Sequence, residues 1–293
     1  MGIPNRLNDQ QKIDIVNSYL AGKRSVELSR EYNVSPQAIL GVLKRRGIKI
    51  KGYQDASSWH TLNYTYFEVI DSEEKAYFLG LIFADGNTSI HKYTHKFAIT
   101  LTQSDEYLLY NLRDCLESNC DIRTYYKTAG YGEKNGNPFT TLSIYNKPFV
   151  ESLIAKGCIP AKSKILEMPI GVPADLMRHF VRGYLDGDGC IIIPKTINNL
   201  TDLNKTGVSI TSSSLFCNQL KDYLLEKHNI TSSVVAYKNG NEYTSDIRFG
   251  GRFNLNKLLD YLYVGATIYM QRKYDKAQQF YQSQDYLLSQ KAA

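Results

Sequence analysis

No uninterrupted apolar run of about 18 residues occurs in these 293 residues, which leaves no candidate transmembrane helix. The N-terminal MGIPNRLNDQ also lacks the apolar centre of a secretory signal, so a cytosolic protein is expected. Cysteines are few. Cys115, Cys120, Cys158, Cys190 and Cys217 form no CxxC pair and no zinc-ligand series, and their number is odd. That pattern argues against a disulfide framework or a structural zinc site, and the thiols are expected to be reduced and mostly buried. Charge of one sign does not dominate: a net charge of +6 permits a polyanionic partner without requiring one. What the chain does have is 43% hydrophobic and 22% charged residues, the composition of a soluble globular protein. Its length suggests two or three units. The 23 tyrosines suit wet polar surfaces, because a phenol both stacks and hydrogen-bonds.

Residues 9–50 divide into three short helical stretches. DQQKIDIVNSYLAG carries Ile13, Val16 and Leu20 at helical spacing and ends at Gly22; SVELSREYN follows, with Asn33 able to turn left-handed. SPQAILGVLKRRG has Ser35 as N-cap, Pro36 at the first helical position and Gly47 as its stop, with Ile39, Val42 and Leu43 facing inward. The tight turn together with the basic cluster is similar to a helix-turn-helix whose third helix reads DNA. Gln37 would touch base edges, and Lys44, Arg45 and Arg46 would hold phosphates. A generic three-helix bundle with a basic C-terminal turn is the plainer alternative. Residues 51–72 have no steady period and are expected to be a linker that docks through Trp59, Tyr66 and Phe67.

Beyond the linker the chain repeats itself. FLGLIFADG at 78–86 and VRGYLDGDG at 181–189 are apolar helix-like runs ending in Asp-Gly, with Asp85 and Asp188 103 positions apart. Each is followed by the same order of strand-like and helix-like segments, so each half reads α-β-β-α-β-β-α and the pair is pseudo-symmetric. The predicted boundaries are 73–160 for the first repeat and 161–293 for the second, the latter with a C-terminal helix. Within the strands one face is apolar and the other polar: Leu142 and Ile144 oppose Ser143, Tyr145 and Lys147, and Ile247 and Phe249 oppose Asp246, Arg248 and Gly250. The polar face is either a solvated surface or a saddle along a duplex groove.

The aspartates sit at the wrong end of their helices. A carboxylate at a helix C-terminus faces the negative pole of the macrodipole and costs about 0.3–1 kcal/mol. Asp186 adds a third negative group. Gly86 and Gly189 account for the helix stops but not for the acids. Gly80 and Ala84 stand four apart, as do Gly183 and Gly187, which leaves each helix a strip without bulk, and two such strips permit close backbone contact. That contact would bring Asp85 and Asp188 side by side. Neighbouring carboxylates either hold a proton at raised pKa or are neutralised by a divalent cation. Hard oxygen ligands with open positions suit Mg²⁺, which then bridges to phosphate oxygens and serves phosphodiester hydrolysis.

The two nine-residue runs align without gaps to the signature of the LAGLIDADG homing endonucleases, and the chain resembles the single-chain, two-motif form of that family over about residues 64–285. NYTYFEVIDSEEKAYFLG, GCIPAKSKILEMP and YLYVGATIYMQRKY are similar to segments in these positions of family members. The resemblance implies an α+β fold of duplicated αββαββα units, with the small all-α helix-turn-helix appended at the N-terminus. It implies site-specific, metal-dependent double-strand DNA cleavage with Mg²⁺ or Mn²⁺, leaving four-base 3′ extensions. By the same resemblance Asp85 and Asp188 bind metal, helped by the backbone carbonyls of Ala84 and Gly187. Lys147, in YNKPF, matches the family's basic residue at the end of a last strand; the second half reads FGGRF, with Arg252 as the nearest base. Because arginine cannot act as a neutral base, one strand is expected to be cut faster. Phe83 replaces the acid that the second copy has at Asp186, without loss of a metal ligand. Lys162 and Lys164 are expected on phosphate, with a solvated linker as the plainer alternative, and Ser143, Tyr145 and Arg248 are expected on the DNA face. Double-stranded DNA is the expected partner and a monomer the expected state, in a bacterial or phage-infected cell. The chain neither starts with Cys or Ser nor ends in His-Asn, so a free-standing or intron-encoded enzyme of a mobile element is expected rather than a splicing protein. The rival reading is an RNA maturase or DNA-binding regulator on the same scaffold.

Overall fold

A computed structural model describes residues 7–50, 60–92, 94–126, 138–236 and 243–292. It divides into two compact units, 1–60 and 61–293. The first is a three-helix unit of α1 (Asp9–Leu20), α2 (Ser25–Glu31) and α3 (Pro36–Arg45). Asn8 caps α1 in a capping box with Gln11, and the Ser35 hydroxyl accepts from the Ala38 N–H at 3.2 Å to start α3. Asn33 and Gly47 take left-handed turns. The core is Ile15, Tyr19, Leu28, Ile39, Val42 and Leu43. One sequence expectation is corrected here: Ile13 and Leu20 are exposed, because α1 turns the row through Ile15 and Tyr19 inward instead.

The second unit begins before the expected linker ends. The Asn63 N–H donates to Leu116 O at 2.8 Å, and Thr61 N–H to the Asn119 side chain at 3.0 Å. Phe67 and Ile70 are fully buried. Residues 61–72 are therefore built into the second unit rather than linking to it; Trp59 lies outside the described residues.

The first repeat runs α4 (Glu73–Asp85), β1 (Gly86–His91), β2 (Thr94–Thr102), α5 (Tyr107–Cys115), β3 (Ile122–Tyr126), β4 (Pro138–Ile144) and α6 (Lys147–Ala155). The second runs α7 (Met177–Asp188), β5 (Gly189–Ile192), α8 (Leu200–Leu203), β6 (Gly207–Ser213), α9 (Ser214–His228), β7 (Ser233–Ala236), β8 (Thr244–Gly250) and α10 (Arg252–Tyr263), followed by the long α11 (Gln271–Ala292). Among the described residues the one-turn α8 interrupts the shared order. Each repeat makes a four-stranded antiparallel sheet, in the orders β1-β2-β4-β3 and β5-β6-β8-β7. Phe97, Ile99, Leu142 and Ile144 of one sheet and Val208, Ile210, Ile247 and Phe249 of the other face a single core that spans both repeats. The alternate residues form the opposite face, where Thr100 bonds Thr141 across β2 and β4 at 2.9 Å. No helix among the described residues is long and apolar enough to cross a membrane.

The repeats join along α4 and α7. A Cβ on Gly80 would overlap the Phe180 carbonyl and lie 2.9 Å from Tyr184 N; one on Gly183 would overlap the Tyr77 carbonyl and lie 2.9 Å from Leu81 N. These contacts exchange under the pseudo-twofold, since Phe180 and Tyr184 stand in the second motif where Tyr77 and Leu81 stand in the first. Near the helix ends Ala84 occupies the space a Gly187 side chain would need. Gly86 and Gly189 follow the helix ends with ordinary negative φ. They are required by space, because a Cβ there would overlap the Ile82 carbonyl or the Leu185 side chain. We expect Gly80→Ala to cost about 3 kcal/mol or more, although alanine is the better helix former. Urea unfolding of the two proteins measures this, and equal midpoints would deny the backbone contact.

Candidate active site

The helix contact delivers two carboxylates to one place. A Cβ on Gly187 would sit 2.8 Å from Asp85 Oδ2, so the Asp85 carboxylate lies against the residue preceding Asp188. Burial, and then the charge of Asp188, push the Asp85 carboxyl up to about 6. Asp188 reaches solvent, yet the protein packed behind it also raises its pKa, opposed by the charges of Lys162 and Lys273. Two acids held together at negative helix ends are thus partly neutralised by cations.

Those cations are placed alike in the two repeats. Lys162, on the short 3₁₀ turn Lys162–Lys164 that follows α6, donates to Gly86 O at 2.5 Å and to Ala84 O at 3.3 Å. Lys273, in the first turn of α11, donates to Leu185 O and Asp186 O at 2.6 Å and to Gly187 O at 3.2 Å. Each ammonium sits on carbonyls at or just past the end of a motif helix and complements its dipole. Beside them a cleft is lined by Ala84, Lys162, Ser163, Tyr184, Asp188 and Thr211.

The expected basic residues fall elsewhere. Lys147 starts α6, exposed, 3.7 Å from Glu151. Arg252 starts α10, where its guanidinium lies over Phe253 and reaches Gln284 at 3.4 Å. The cations acting on Asp85 are Lys273, Lys162 and Arg272. Lys162 had been expected on phosphate but holds the end of α4, and Lys273 and Arg272 were not foreseen. A signal for Lys273 existed: AKSK and QRKY each follow the last helix of a repeat. With a lysine at both ends, the argument for unequal strands from Arg252 loses its basis.

The polar sheet faces carry the other expected residues. Ser143 is half-buried opposite Ala98. Tyr145 is exposed, with the Lys96 ammonium 5.6 Å from its ring centroid. Arg248 pairs with Asp246 at 2.8 Å, and Asp246 also accepts from Thr211 at 2.8 Å. Lys164 lies over Tyr243, 5.8 Å from the ring centroid. In the N-terminal unit Gln37, Lys44, Arg45 and Arg46 are all exposed.

Among the described residues no cluster of three or more His, Cys, Asp or Glu side chains could enclose a metal. The donor set fits instead a cation that keeps open positions, as Mg²⁺ does when substrate oxygens complete its shell. The Ala84 and Gly187 carbonyls, expected as ligands, also accept from Lys162 at 3.3 Å and from Lys273 at 3.2 Å.

Paired helices that meet backbone to backbone, end in aspartates and each lead into a four-stranded sheet define a duplicated α+β class built around a shared acidic centre. Residues 72–156 match the model of the LAGLIDADG-like domain. Its fold is similar to that of LAGLIDADG meganuclease I-AabMI, solved bound to uncleaved DNA, with a TM-score of 0.50 and 15% identity over 75% of this chain and 93% of that one. I-SmaMI, solved bound to uncleaveable DNA, gives a TM-score of 0.49 at 13% identity, over 72% and 90%. Over 130 residues the chain is also 25% identical to DNA-directed RNA polymerase subunit Rpo1C of Methanocaldococcus jannaschii, spanning 44% of this chain but only 14% of that protein's length.

The raised Asp85 pKa has a stability consequence. The folded state binds this proton more tightly than the unfolded chain does, so its contribution to stability is lost as pH rises from about 4 through about 6. Without divalent cation, Asp85→Asn is therefore expected to be more stable than the parent at pH 7.5. The gap should close as pH falls below 6. Urea titrations in chelator at pH 7.5 and 4.5 measure it, and a gap that widens toward acid would refute the reading.

Proposed function

We propose that this chain is a site-specific endonuclease that hydrolyses phosphodiester bonds in both strands of duplex DNA. The observation that carries the reading is the convergence of Asp85 and Asp188 at the ends of two close-packed helices, each end held by a lysine. A protein that only bound DNA would gain by replacing two mutually repelling acids. The polar faces of the two sheets and the DNA-bound structures of similarly folded meganucleases support DNA as the substrate.

Water must be aligned with the phosphorus and charge must be countered as it develops on the leaving oxygen. A bound Mg²⁺ or Mn²⁺ would supply an acidified water and neutralise phosphate charge. The chain's own groups do the rest. Asp85 and Asp188 orient the attacking water and fix the position of the cation, and two acids, one per repeat, match two strands of opposite polarity. Lys162 and Lys273, immobilised on carbonyls, put fixed positive charge beside the reacting phosphates without having to reorganise. We further propose that α3 of the N-terminal unit contacts the duplex through Gln37, Lys44, Arg45 and Arg46.

Either Asp85→Asn or Asp188→Asn should lower double-strand cleavage at least about 100-fold while leaving affinity for the same duplex within about threefold. Gel shift and a cleavage time course with Mg²⁺ test this on candidate targets from DNA flanking the gene. A parent protein that retards its target but never cuts it would leave a binder, not a nuclease. For the N-terminal unit, replacing Lys44 and Arg45 together with alanine should reduce the slope of log K against log salt by up to about two. An unchanged slope would remove α3 from the DNA contact.

A further inference from the structure

The two lysines are delivered by different devices. Lys273 follows a strap, residues 264–270, that joins α10 to α11, and one face of α7 grips this strap with three residues set one turn apart. Arg178 donates to Val264 O. Arg182, fully buried, donates to Leu262 O at 2.7 Å and Ile268 O at 2.9 Å. Asp186, also fully buried, accepts from the Met270 N–H at 2.6 Å and the Tyr263 hydroxyl at 3.3 Å. Helix α4 completes the grip: Glu73 accepts from Arg182 at 2.6 Å and from the Thr267 N–H at 2.8 Å, and the Tyr77 hydroxyl donates to Asp186 at 2.8 Å. The next residues are tied to the first repeat, Gln271 N–H to the Tyr107 hydroxyl at 2.7 Å and Arg272 to Asp105 at 3.0 Å. Lys273 comes immediately after.

Asp186 occupies the sixth position of its motif, and the first motif has Phe83 there. Phe83 stacks edge-on against Phe180, with centroids 5.1 Å apart. A Cβ on Gly157, the residue that opens the strap leading to Lys162, would lie 3.3 Å from the Phe83 ring. The sixth residue of each motif therefore touches the strap that carries its own repeat's lysine, through apolar packing in one repeat and a buried carboxylate in the other.

We propose, resting on the nuclease reading above, that Asp186 is a positioning residue for the second repeat: it anchors the strap so that Lys273 meets the end of α7. It does not touch the reacting groups itself. A buried carboxylate accepting from two hydroxyls and one N–H organises all three donors, and removing it leaves each of them unpaired. Lys273 itself is only 3% exposed, so its ammonium stays on the helix carbonyls only while the strap holds.

Two readouts test this on the full chain. The first is reductive methylation with formaldehyde and borohydride, followed residue by residue by mass spectrometry. Asp186→Leu should raise the labelling rate of Lys273 at least tenfold and leave Lys162 within twofold. The second is cleavage followed on each strand separately, with Lys273→Met and Lys162→Met as references. Asp186→Leu should slow the strand that Lys273→Met slows by at least tenfold and the other by less than threefold. Should Asp186→Leu fail to fold, Asp186→Asn decides on the same readouts, with smaller shifts in the same direction, since its carbonyl oxygen still receives the Met270 N–H. Equal gains at both lysines, no gain at Lys273, or equal slowing of both strands would overturn the proposal and leave Asp186 as a stability element. A parent protein that cuts neither strand would overturn the nuclease reading instead, and amine labelling alone would then decide whether Asp186 sets Lys273.

Discussion

Two α-helices touch backbone to backbone only where neither carries a side chain at the crossing, and α4 and α7 meet that condition at Gly80 and Gly183. The contact fixes the distance between the two repeats, and the helices then run on to their ends still in register. From that single crossing follow the proximity of Asp85 and Asp188 and the continuity of one core beneath both sheets. It also sets where Lys162 and Lys273 must arrive. A glycine in a helix interior costs about 1 kcal/mol, and the large shared core offsets that loss.

The electrostatics run against stability and toward chemistry. Carboxylates at the negative ends of helices, crowded together and partly desolvated, are each held at raised pKa. The chain opposes this strain with one lysine per helix end, both bound by the carbonyls that the helix cannot satisfy internally. Positive charge is thereby fixed beside negative charge without the two neutralising each other in a direct ion pair. On the proposed nuclease reading, the carboxylates would stay available to a cation while the lysines, held on backbone carbonyls, would set the potential around them.

Much of this was legible in the sequence because it repeats. The shared Asp-Gly ends, the small-residue strips and the common strand order made the duplicated αββαββα architecture readable, and the alternation through Leu142 and Ile144 assigned the inner face of β4 correctly. What failed to be legible depended on side chains arriving from afar. Lys147 and Arg252 were favoured because they lie near strand ends in sequence, yet helix starts turn them toward Glu151 and Gln284. Lys273 stands 85 residues beyond Asp188 and reaches it only through a strap fixed by buried ionic bonds, which no local periodicity encodes. In α1 the spacing of Ile13, Val16 and Leu20 pointed to a helix but marked the wrong face, since two apolar rows were available and packing chose the one through Ile15 and Tyr19. The linker expected over 51–72 ends short of its second half because the polar breakers of 61–72 hide Phe67 and Ile70, whose burial depends on contacts with other parts of the repeat.

The central claim is that the helix crossing forces Asp85 and Asp188 to share one electrostatic site. Carbon-13 NMR titration of the Asp85 carboxyl in metal-free protein, compared with Asp188→Asn, measures this most directly. Asp85 should titrate near 6 in the parent, and its midpoint should fall toward the ordinary carboxylate range once the neighbouring charge is gone. An Asp85 midpoint that is the same in both proteins would contradict it.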